Sequence, residues 1–207
     1  PIRGIKELGV SFQSKLLKYF DRYGVVEHLC VAHHGKGKTA SQGFVVMETT
    51  NSVFDQKLLS DNASPQTLLS WQRAMLSNWF AGGGREWVET FEKENSGTYN
   101  NQWMVLDMNK FSPGQPLPMN TFVIAEQIPG EIVVEDRSAW LNEKRYWGSY
   151  NIPAIPAIWK KSGFGSRTPV WRYNHSECPR AHYMRKLNEI LDCAHVYIWC
   201  VIPVIWQ

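Results

Sequence analysis

The fold is decided by the stretch Asn95-Ser96-Gly97-Thr98-Tyr99-Asn100-Asn101-Gln102-Trp103. This stretch separates a helical pattern from a pattern typical of strands. Most of these residues are polar or flexible, and such a segment costs stability unless its amides and hydroxyls find partners. Two interpretations of the stretch are open. It is either a helix C-cap followed by a turn, or the polar wall of a site where Asn and Thr present donors to an oxyanion.

A helical pattern lies directly before this stretch, and a strand pattern lies directly after it. Ser64 and Pro65 predict a helix start, as N-cap and first helical residue. The glycines at 82–84 end that helix, and a second helix over residues 85–94 completes a helical hairpin. Further helix is predicted over residues 138–147. The predicted strands span residues 25–31, 43–49, 102–108, 121–127 and 131–135, the last two joined by a turn at 128–130. Helix pairs beside antiparallel strands indicate an α+β or layered architecture.

An amphipathic helix is predicted near the start of the chain, over about residues 5–20. Its apolar positions recur at helical spacing, with lysines between them. A helix that faces a protein core and a helix that lies on a membrane surface both fit this pattern. The apolar residues are Ile5, Leu8, Phe12, Leu16 and Tyr19.

Composition and charge exclude few classes of protein. The net charge of +3 gives no argument for nucleic acid or an anionic membrane as a partner. The four cysteines permit disulfides without requiring them, and two Asn-X-Ser sequons, at Asn62 and Asn174, weakly support a secretory route. The apolar run over residues 195–207 is too short to span a bilayer, so no transmembrane segment is predicted. Since the chain begins with Pro1, we expect a fragment or a processed product.

Two tempting motifs have simpler explanations. Residues 32–39, AHHGKGKT, resemble a relaxed Walker A loop, but a P-loop needs a helix directly after its Lys-Thr, and a strand pattern follows here. His175, Cys178 and His182 have the ligand types of a zinc site, yet a fourth ligand is missing and the spacing fits no standard finger. We therefore predict neither a metal site nor a cofactor.

Several longer stretches, in fixed order, resemble the phospholipase B-like family. The resemblance covers about residues 43–181 and departs from the family on both sides, which predicts a divergent segment 1–42, a core 43–181 and a divergent segment 182–207. The matching stretches are METTN at 47–51, LSWQR at 69–73, NSGTYNNQWMVLD at 95–107, EQIPG at 126–130, YWGSYNIP at 146–153 and CPRA at 178–181.

This resemblance implies an N-terminal nucleophile hydrolase-like αββα sandwich, here incomplete, in a secreted or lysosomal glycoprotein. Family members cleave themselves to expose an N-terminal cysteine, whose thiolate attacks an acyl ester or amide of a lipid. The freed α-amine acts as the base, and its ordinary pKa of about 7.7–8.0 suits that role. The implied partners are a lipid or other acyl substrate and the N-terminal part of the chain's own precursor.

The nucleophile itself is expected to be absent from this chain. Pro1 has neither a thiol nor a hydroxyl, and Cys30 has the wrong neighbours and lies too near residues 47–51. The chain is therefore expected to be a hydrolase fragment that is inactive alone. A non-catalytic lipid- or glycan-binding relative is the alternative.

The resemblance also nominates site residues. Asn100 and Asn101 are the first candidates for contacts with an oxyanion or a substrate amide, and Asn95 and Thr98 are the second. Arg180 and Trp103 are assigned to substrate binding, since a guanidinium can hold a carboxylate or phosphate with two hydrogen bonds. A structural ion pair is the more common fate of an arginine. Glu126 is expected to be a structural carboxylate.

Overall fold

The computed structural model describes residues 30–32, 43–112, 115–190 and 197–200, which are arranged around a five-stranded antiparallel sheet. The strands are neighbours in the sheet in the order in which they occur in the chain. They are β1 (Cys30–Ala32), β2 (Phe44–Thr50), β3 (Asn101–Asp107), β4 (Phe122–Ile128) and β5 (Glu131–Asp136). Helices accompany this sheet, so the structure confirms the α+β class.

Six α-helices and a second, two-stranded sheet make up most of the rest of the described chain. In that sheet the strands β6 and β7 run parallel to each other. The helices are α1 (Gln56–Asn62), α2 (Ser70–Phe80), α3 (Gly84–Glu92), α4 (Ser138–Lys144), α5 (Pro156–Lys161) and α6 (Pro179–Ile190), and the two strands are β6 (Tyr146–Ser149) and β7 (Tyr197–Cys200). Three single turns of 3₁₀-helix lie at Met108–Lys110, Phe164–Ser166 and Val170–Tyr173.

One face of the large sheet packs on the α2–α3 hairpin. The rings of Trp87 and Phe91 from α3 stack with their centroids 5.2 Å apart, and the ring of Trp103 from β3 lies 4.5 Å from that of Phe91. Val105 and Val123 extend this apolar layer across the sheet. Because successive strand residues point to opposite faces, every second residue of β3 belongs to this layer.

The opposite face carries a second core. Met104 and Ile124 on the sheet pack with Leu141 of α4, Trp147 of β6 and Ile158 of α5. Strands β3 and β4 are therefore buried on both faces, which explains why their sequences are apolar almost throughout.

The structure confirms most predicted strands and the helical hairpin. Strands predicted at 43–49, 102–108, 121–127 and 131–135 correspond to β2, β3, β4 and β5, and residues 129–130 form the tight turn of the last pair. A strand does follow the Walker-like sequence, since β2 begins at Phe44. The loop itself, residues 33–42, and the helix predicted over residues 5–20 lie outside the described residues, and so does the predicted strand at 25–31 except for residues 30–31.

The predicted start of the first helix of the hairpin was wrong. Ser64 caps a turn instead: its hydroxyl oxygen accepts a hydrogen bond from the Gln66 N–H at 3.2 Å, and its carbonyl accepts one from the Thr67 hydroxyl. Helix α2 begins at Ser70, and the side chain of Gln72 accepts the N–H of Leu69 at 2.9 Å. That hydrogen bond satisfies a backbone N–H that would otherwise lack a partner at the start of the helix.

The predicted helix over 138–147 was too long. It ends at Lys144 because Arg145 adopts the left-handed conformation, with φ 64°. Trp147 then belongs to β6, where its ring forms part of the second core. A short helix, α1, was missed; Asp55 caps it by accepting the N–H groups of Lys57 and Leu58.

Candidate functional site

A buried arginine organises the first polar cluster of the fold. Arg73 projects from α2 beneath the hairpin and is 1% exposed. Its Nε donates to the Phe91 carbonyl at 3.0 Å, and its two terminal nitrogens approach the side-chain oxygens of Asn95 and Gln127 at 3.4 Å. The guanidinium also lies 4.0 Å from the centre of the Phe91 ring. Burial lowers the pKa of Arg73 to about 10.

Gln127 links this arginine to the polar stretch at residues 95–103. Its Nε2 donates to the Asn95 side chain at 3.0 Å and to the Thr98 carbonyl at 3.1 Å, and it lies 3.4 Å from the Asn100 side-chain oxygen. Its Oε1 accepts from the Trp103 indole at 3.4 Å. One glutamine on β4 therefore ties four residues of the stretch to the sheet.

The same residues also bind their own loop. Asn95 donates to the Ile128 carbonyl at 3.0 Å and accepts the Gly97 N–H at 3.1 Å, while Asn100 donates to the Gly97 carbonyl at 3.0 Å. The φ of Gly97 is +70°, and a Cβ there would lie 2.9 Å from the Asn62 carbonyl oxygen, so only glycine fits. The side chains of Asn95 and Asn100 thus hold the loop in shape.

Asn101 has a different environment from its neighbour Asn100. It is the first residue of β3 and lies opposite Thr50, the last residue of β2. The next residue of that chain, Asn51, donates its backbone N–H to the Asn100 carbonyl at 2.8 Å. In this register Asn51 lies opposite Asn100, so Asn51 and Asn101 are diagonal neighbours at one end of the sheet. By strand alternation, Asn101 shares the face of Trp103, whereas Asn51 shares the face of Thr49.

Both carboxamides are buried without hydrogen-bond partners. Asn101 is 0% exposed and Asn51 is 3% exposed. Among the described residues, neither the nitrogen nor the oxygen of either side chain has a partner. A buried amide left unpaired costs about 1–3 kcal/mol, and these two are the residues of the described chain in which a whole buried carboxamide is unpaired.

Arg180 reaches the same end of the sheet through Asn151. The guanidinium of Arg180 donates to the Asn151 side-chain oxygen at 2.8 Å and also to the Tyr150 carbonyl. Asn151 adopts φ 59° and donates its side-chain nitrogen to the Thr50 carbonyl at 2.7 Å. Burial lowers the pKa of Arg180.

Thr49 and Ser149 complete this region, since their hydroxyls form a buried hydrogen bond between β2 and β6. We use the name strand-end site for the group of residues gathered where β2 ends and β3 begins. Its members are Thr49, Asn51, Asn101, Ser149, Asn151 and Arg180.

Glu126 is a buried carboxylate on the opposite face of the sheet from the Arg73 cluster. Its Oε1 accepts from the Ala154 N–H and from the Gln102 side chain, both at 2.6 Å, and its Oε2 accepts the Ile155 N–H at 2.9 Å. Gln102 in turn accepts the Trp147 indole N–H at 3.0 Å. Burial is the largest effect and raises the pKa of Glu126 to about 7. Its bonds hold the chain entering α5 onto β4, as expected for a structural carboxylate.

His175, Cys178 and His182 have separate contacts. His175 Nε2 lies 3.0 Å from the Gly148 carbonyl, and burial lowers the pKa of this histidine to about 4. The Cys178 thiol donates to the His175 carbonyl at 3.8 Å. His182 is half exposed and lies 3.6 Å from Glu177. Within the described part of the chain, no three His, Cys, Asp or Glu side chains form a group that could hold a metal ion.

Comparison with known proteins places this sequence in a family. The sequence model of the family described as Phospholipase B matches residues 38–197. The chain belongs to the phospholipase B family. It is 42% identical over 156 residues to phospholipase B-like protein G of Dictyostelium discoideum, covering 71% of this chain and 26% of that one. Phospholipase B of Crotalus adamanteus is 39% identical over 146 residues, and human phospholipase B-like 1 is 40% identical over 148; each alignment covers 70% of this chain and 26% of the relative.

The chain thus spans about a quarter of the length of these phospholipase B relatives. None of the helices in the described ranges is long and apolar enough to cross a membrane.

The structure separates the predicted site residues into two groups. Asn101 and Arg180 come to the strand-end site, whereas Asn95, Thr98 and Asn100 bind Gln127 and their own loop. The Trp103 ring is 6% exposed and packs against α3. Sequence reasoning did not select Asn51 or Asn151, although both lie in stretches that resemble the phospholipase B family. Asn51 is recognised from the pairing of β2 with β3, and Asn151 from its hydrogen bond to the Thr50 carbonyl. Both contacts are visible only in the structure.

Proposed function

We propose that this chain is part of a phospholipase B-like hydrolase that cleaves acyl ester or amide bonds of lipids. In this proposal the chain supplies one sheet and the flanking helices of an αββα sandwich of the N-terminal nucleophile type. The upstream part of the precursor supplies the nucleophilic cysteine. The strand-end site supplies the polar contacts that hold the acyl group.

The unpartnered carboxamides of Asn51 and Asn101 carry the proposal. Polar groups that are buried, fixed by a sheet and not used by the fold are suited to a charge that develops during a reaction, because they need little reorganisation. The N–H₂ group of Asn101 is the proposed donor to the oxyanion, and Asn51 is proposed to bind the cysteine segment or the substrate carbonyl. Membership of a hydrolase family supports this assignment, while the fold alone would not.

Arg180 is proposed to contribute charge and position. Its hydrogen bond to Asn151, and that of Asn151 to the Thr50 carbonyl, fix the end of β2 beside Asn101. A cation near the reacting carbonyl also favours the thiolate of an approaching cysteine. Arg180 therefore serves either the headgroup of the substrate or the nucleophile, and both uses need its positive charge.

The first test is to isolate the native protein from its source and determine its mass and N-terminal sequence. Fatty-acid release from phosphatidylcholine is then measured for the native protein and for this chain alone. We expect a longer polypeptide, a fragment that begins with cysteine, and release only from the native protein. Release by this chain alone would show that its nucleophile had been missed. Vesicle binding without release by the native protein would favour the non-catalytic lipid-binding alternative.

A second test assigns Asn101. In the native polypeptide, Asn101→Ala should lower kcat by about 10²–10³-fold, as loss of one oxyanion donor does, with a smaller change in KM. Asn142→Ala is the control for a general loss of stability, because the Asn142 side chain, unlike that of Asn101, is hydrogen-bonded by the fold, to the backbone of Leu117. If both variants lose activity only in proportion to their loss of folded protein, Asn101 is structural.

We also propose that the native protein is either delivered to lysosomes or secreted from the cell. Asn62 is exposed and Asn174 is half-buried, and the Asn174 side-chain oxygen accepts both the N–H and the hydroxyl of Ser176. Treatment of the native protein with an N-glycosidase should reduce its mass if either sequon carries a glycan. An unchanged mass would remove the support that the sequons give.

A further inference from the structure

Helix α5 and the two 3₁₀ turns that follow it are tied together by aromatic side chains. The Trp159 indole donates to the Tyr173 carbonyl at 2.6 Å, which joins α5 to the end of the second turn. The buried ring of Phe164 lies 4.9 Å from the ring of Phe54 and 6.5 Å from that of Tyr173. The segment between Phe164 and Tyr173 is therefore held at both ends on packed aromatic rings.

That segment presents an apolar pair to solvent. Every residue over 165–172 is exposed. Val170 and Trp171 are adjacent, and they are 50% and 54% exposed. They begin the second turn, where the Arg172 N–H donates to the Pro169 carbonyl at 3.1 Å. Single exposed apolar residues are common, but an adjacent pair on a hydrogen-bonded turn is a candidate contact surface.

Positive charge lies on both sides of this pair in the sequence. Residues 160–172 contain four basic residues and no acidic residue. Lys161 pairs with Glu131 at 2.6 Å. The other three basic residues are exposed, and within the described part of the chain none of them pairs with a carboxylate. We call these three residues and the apolar pair the Trp171 surface, which consists of Lys160, Arg167, Val170, Trp171 and Arg172.

Arg167 is held in place without an anion. Its guanidinium lies 4.2 Å from the centre of the Phe54 ring and 5.7 Å from the centre of the Tyr173 ring. Stacking of this kind orients the planar guanidinium and uses none of its five N–H donors. No side-chain hydrogen bond of Arg167 is formed among the described residues. Arg167 is therefore pre-positioned for an anion such as a phosphate.

Three acidic side chains on adjoining segments already have partners. Asp55 caps α1, Glu131 pairs with Lys161, and Glu177 lies 3.6 Å from His182. The positive charge of the Trp171 surface is local, which explains why the net charge of +3 for the whole chain gives no sign of it.

An anionic membrane fits this combination of groups. Indole rings are favoured at the membrane–water interface, since they have an apolar body and a polar N–H. Lys and Arg beside them bind lipid phosphates. Single-stranded nucleic acid also combines phosphates with stacking on Trp, but stacking makes no use of an aliphatic side chain such as Val170. The pair of Val170 and Trp171 therefore favours a lipid surface.

We propose that the Trp171 surface docks on membranes that contain anionic phospholipid. Val170 and Trp171 enter the interface, and the three cations contact lipid phosphates. This goes beyond the proposed hydrolysis, because the Trp171 surface and the strand-end site share no residue. Docking needs neither a nucleophile nor an oxyanion donor, so the two proposals can fail separately.

Sedimentation of the whole chain with vesicles tests the proposal. Vesicles of phosphatidylcholine alone are compared with vesicles that also contain phosphatidylserine. One cation near an anionic surface strengthens binding by about fivefold, so three cations should raise the partition coefficient by at least about tenfold when phosphatidylserine is present. High salt should remove this increase. Equal partition onto the two kinds of vesicle, or none onto either, would overturn the proposal, and this comparison needs no variant that might fail to fold.

Matched variants assign the binding to these residues. Trp171→Ala and Arg172→Ala should each weaken partition onto the phosphatidylserine vesicles by at least about fivefold. Trp79→Ala is the control for the indole, because Trp79 is 62% exposed but belongs to α2. Arg85→Ala is the control for the charge, since Arg85 is exposed and pairs with Glu89 on α3. Equal losses in the test variants and their controls would overturn the proposal.

Other occupants of the surface give different results. Binding to a single-stranded oligonucleotide that depends on Trp171, without binding to vesicles, would assign the surface to nucleic acid. Dimers in analytical ultracentrifugation that depend on Trp171, again without binding to vesicles, would assign it to a second copy of the chain. Either result would overturn the proposal.

Discussion

Replacing Glu126 by glutamine tests whether a buried carboxyl on β4 takes up a proton in the folded protein. Burial raises the pKa of Glu126 from 4.5 to about 7. Between these values the folded state binds more protons than the unfolded state, so this carboxyl contributes stability that is present below about pH 4.5 and is lost as the pH rises through 7. Each pH unit of difference corresponds to about 1.4 kcal/mol, which gives a loss of about 3 kcal/mol from this group.

The glutamine variant separates this effect from the hydrogen bonds. In Glu126→Gln one carboxyl oxygen becomes an N–H₂ group that faces a donor, the Ile155 N–H or the pair formed by the Ala154 N–H and Gln102, and the lost bond costs about 1–3 kcal/mol. That cost does not depend on pH. The free energy of unfolding of the unaltered chain, minus that of the variant, should therefore fall by about 3 kcal/mol between pH 4.5 and 7.5.

Urea unfolding followed by circular dichroism at half-unit steps of pH gives this difference. Glu89→Gln is the matched control, because Glu89 is exposed and pairs with Arg85 on the same helix. Its difference should change by less than about 0.5 kcal/mol over the same range. A constant difference for Glu126→Gln across the range would refute the reasoning, since it would mean that the carboxyl binds no more protons in the folded chain than in the unfolded chain.

Three further variants address other buried polar groups. Asn101→Leu should stabilise the isolated chain by about 1–3 kcal/mol in urea unfolding, because it removes an unpaired amide, and should abolish hydrolysis by the native protein; a destabilised variant would contradict the unpaired state. Arg73→Lys should cost at least about 2 kcal/mol of unfolding free energy, since an ammonium cannot reproduce the contacts with Phe91 and Gln127, and a loss below about 0.5 kcal/mol would show that they matter little. The pKa of His175 is lowered from 6.5 to about 4, so the stability that this histidine contributes is present above pH 6.5 and is lost as the pH falls through 4. His175→Gln should therefore remove this loss of stability on the acid side. An unchanged dependence of stability on pH in the acid range would contradict this.

The strands could be predicted from sequence because their signals are local. The turn Pro129-Gly130 fixes the β4–β5 hairpin, and the apolar runs of β3 and β4 match strands that are buried on both faces. The start of α2 could not be predicted in this way. Ser64 followed by proline is a strong cap signal, but here the Ser64 N–H binds the Ser96 carbonyl at 3.0 Å, a contact more than thirty residues away that no local pattern reveals.

The candidate site residues depend on contacts of the same long-range kind. The stretch at 95–103 is visibly rich in polar groups, yet the sequence offers no means of telling Asn100 from Asn101. Strand pairing separates them: Asn100 closes its own loop through the Gly97 carbonyl, while Asn101 begins β3 opposite Thr50. Arg180 comes to the same end of the sheet only because Asn151, in a left-handed turn, connects the two.

Buried polar groups in this sheet therefore differ by whether the fold uses them. Glu126 and Gln127 lie next to each other on β4 and point to opposite faces, and each has its hydrogen bonds supplied by the scaffold. Removing either should mainly cost stability. Asn51 and Asn101 are equally buried but unpaired, so they cost stability in the folded chain, and a sequence retains such groups most readily when something else binds them. That difference in hydrogen bonding, more than the polarity of the residues, is the reason why we propose the strand-end site, and not Glu126 or Gln127, for a role in hydrolysis.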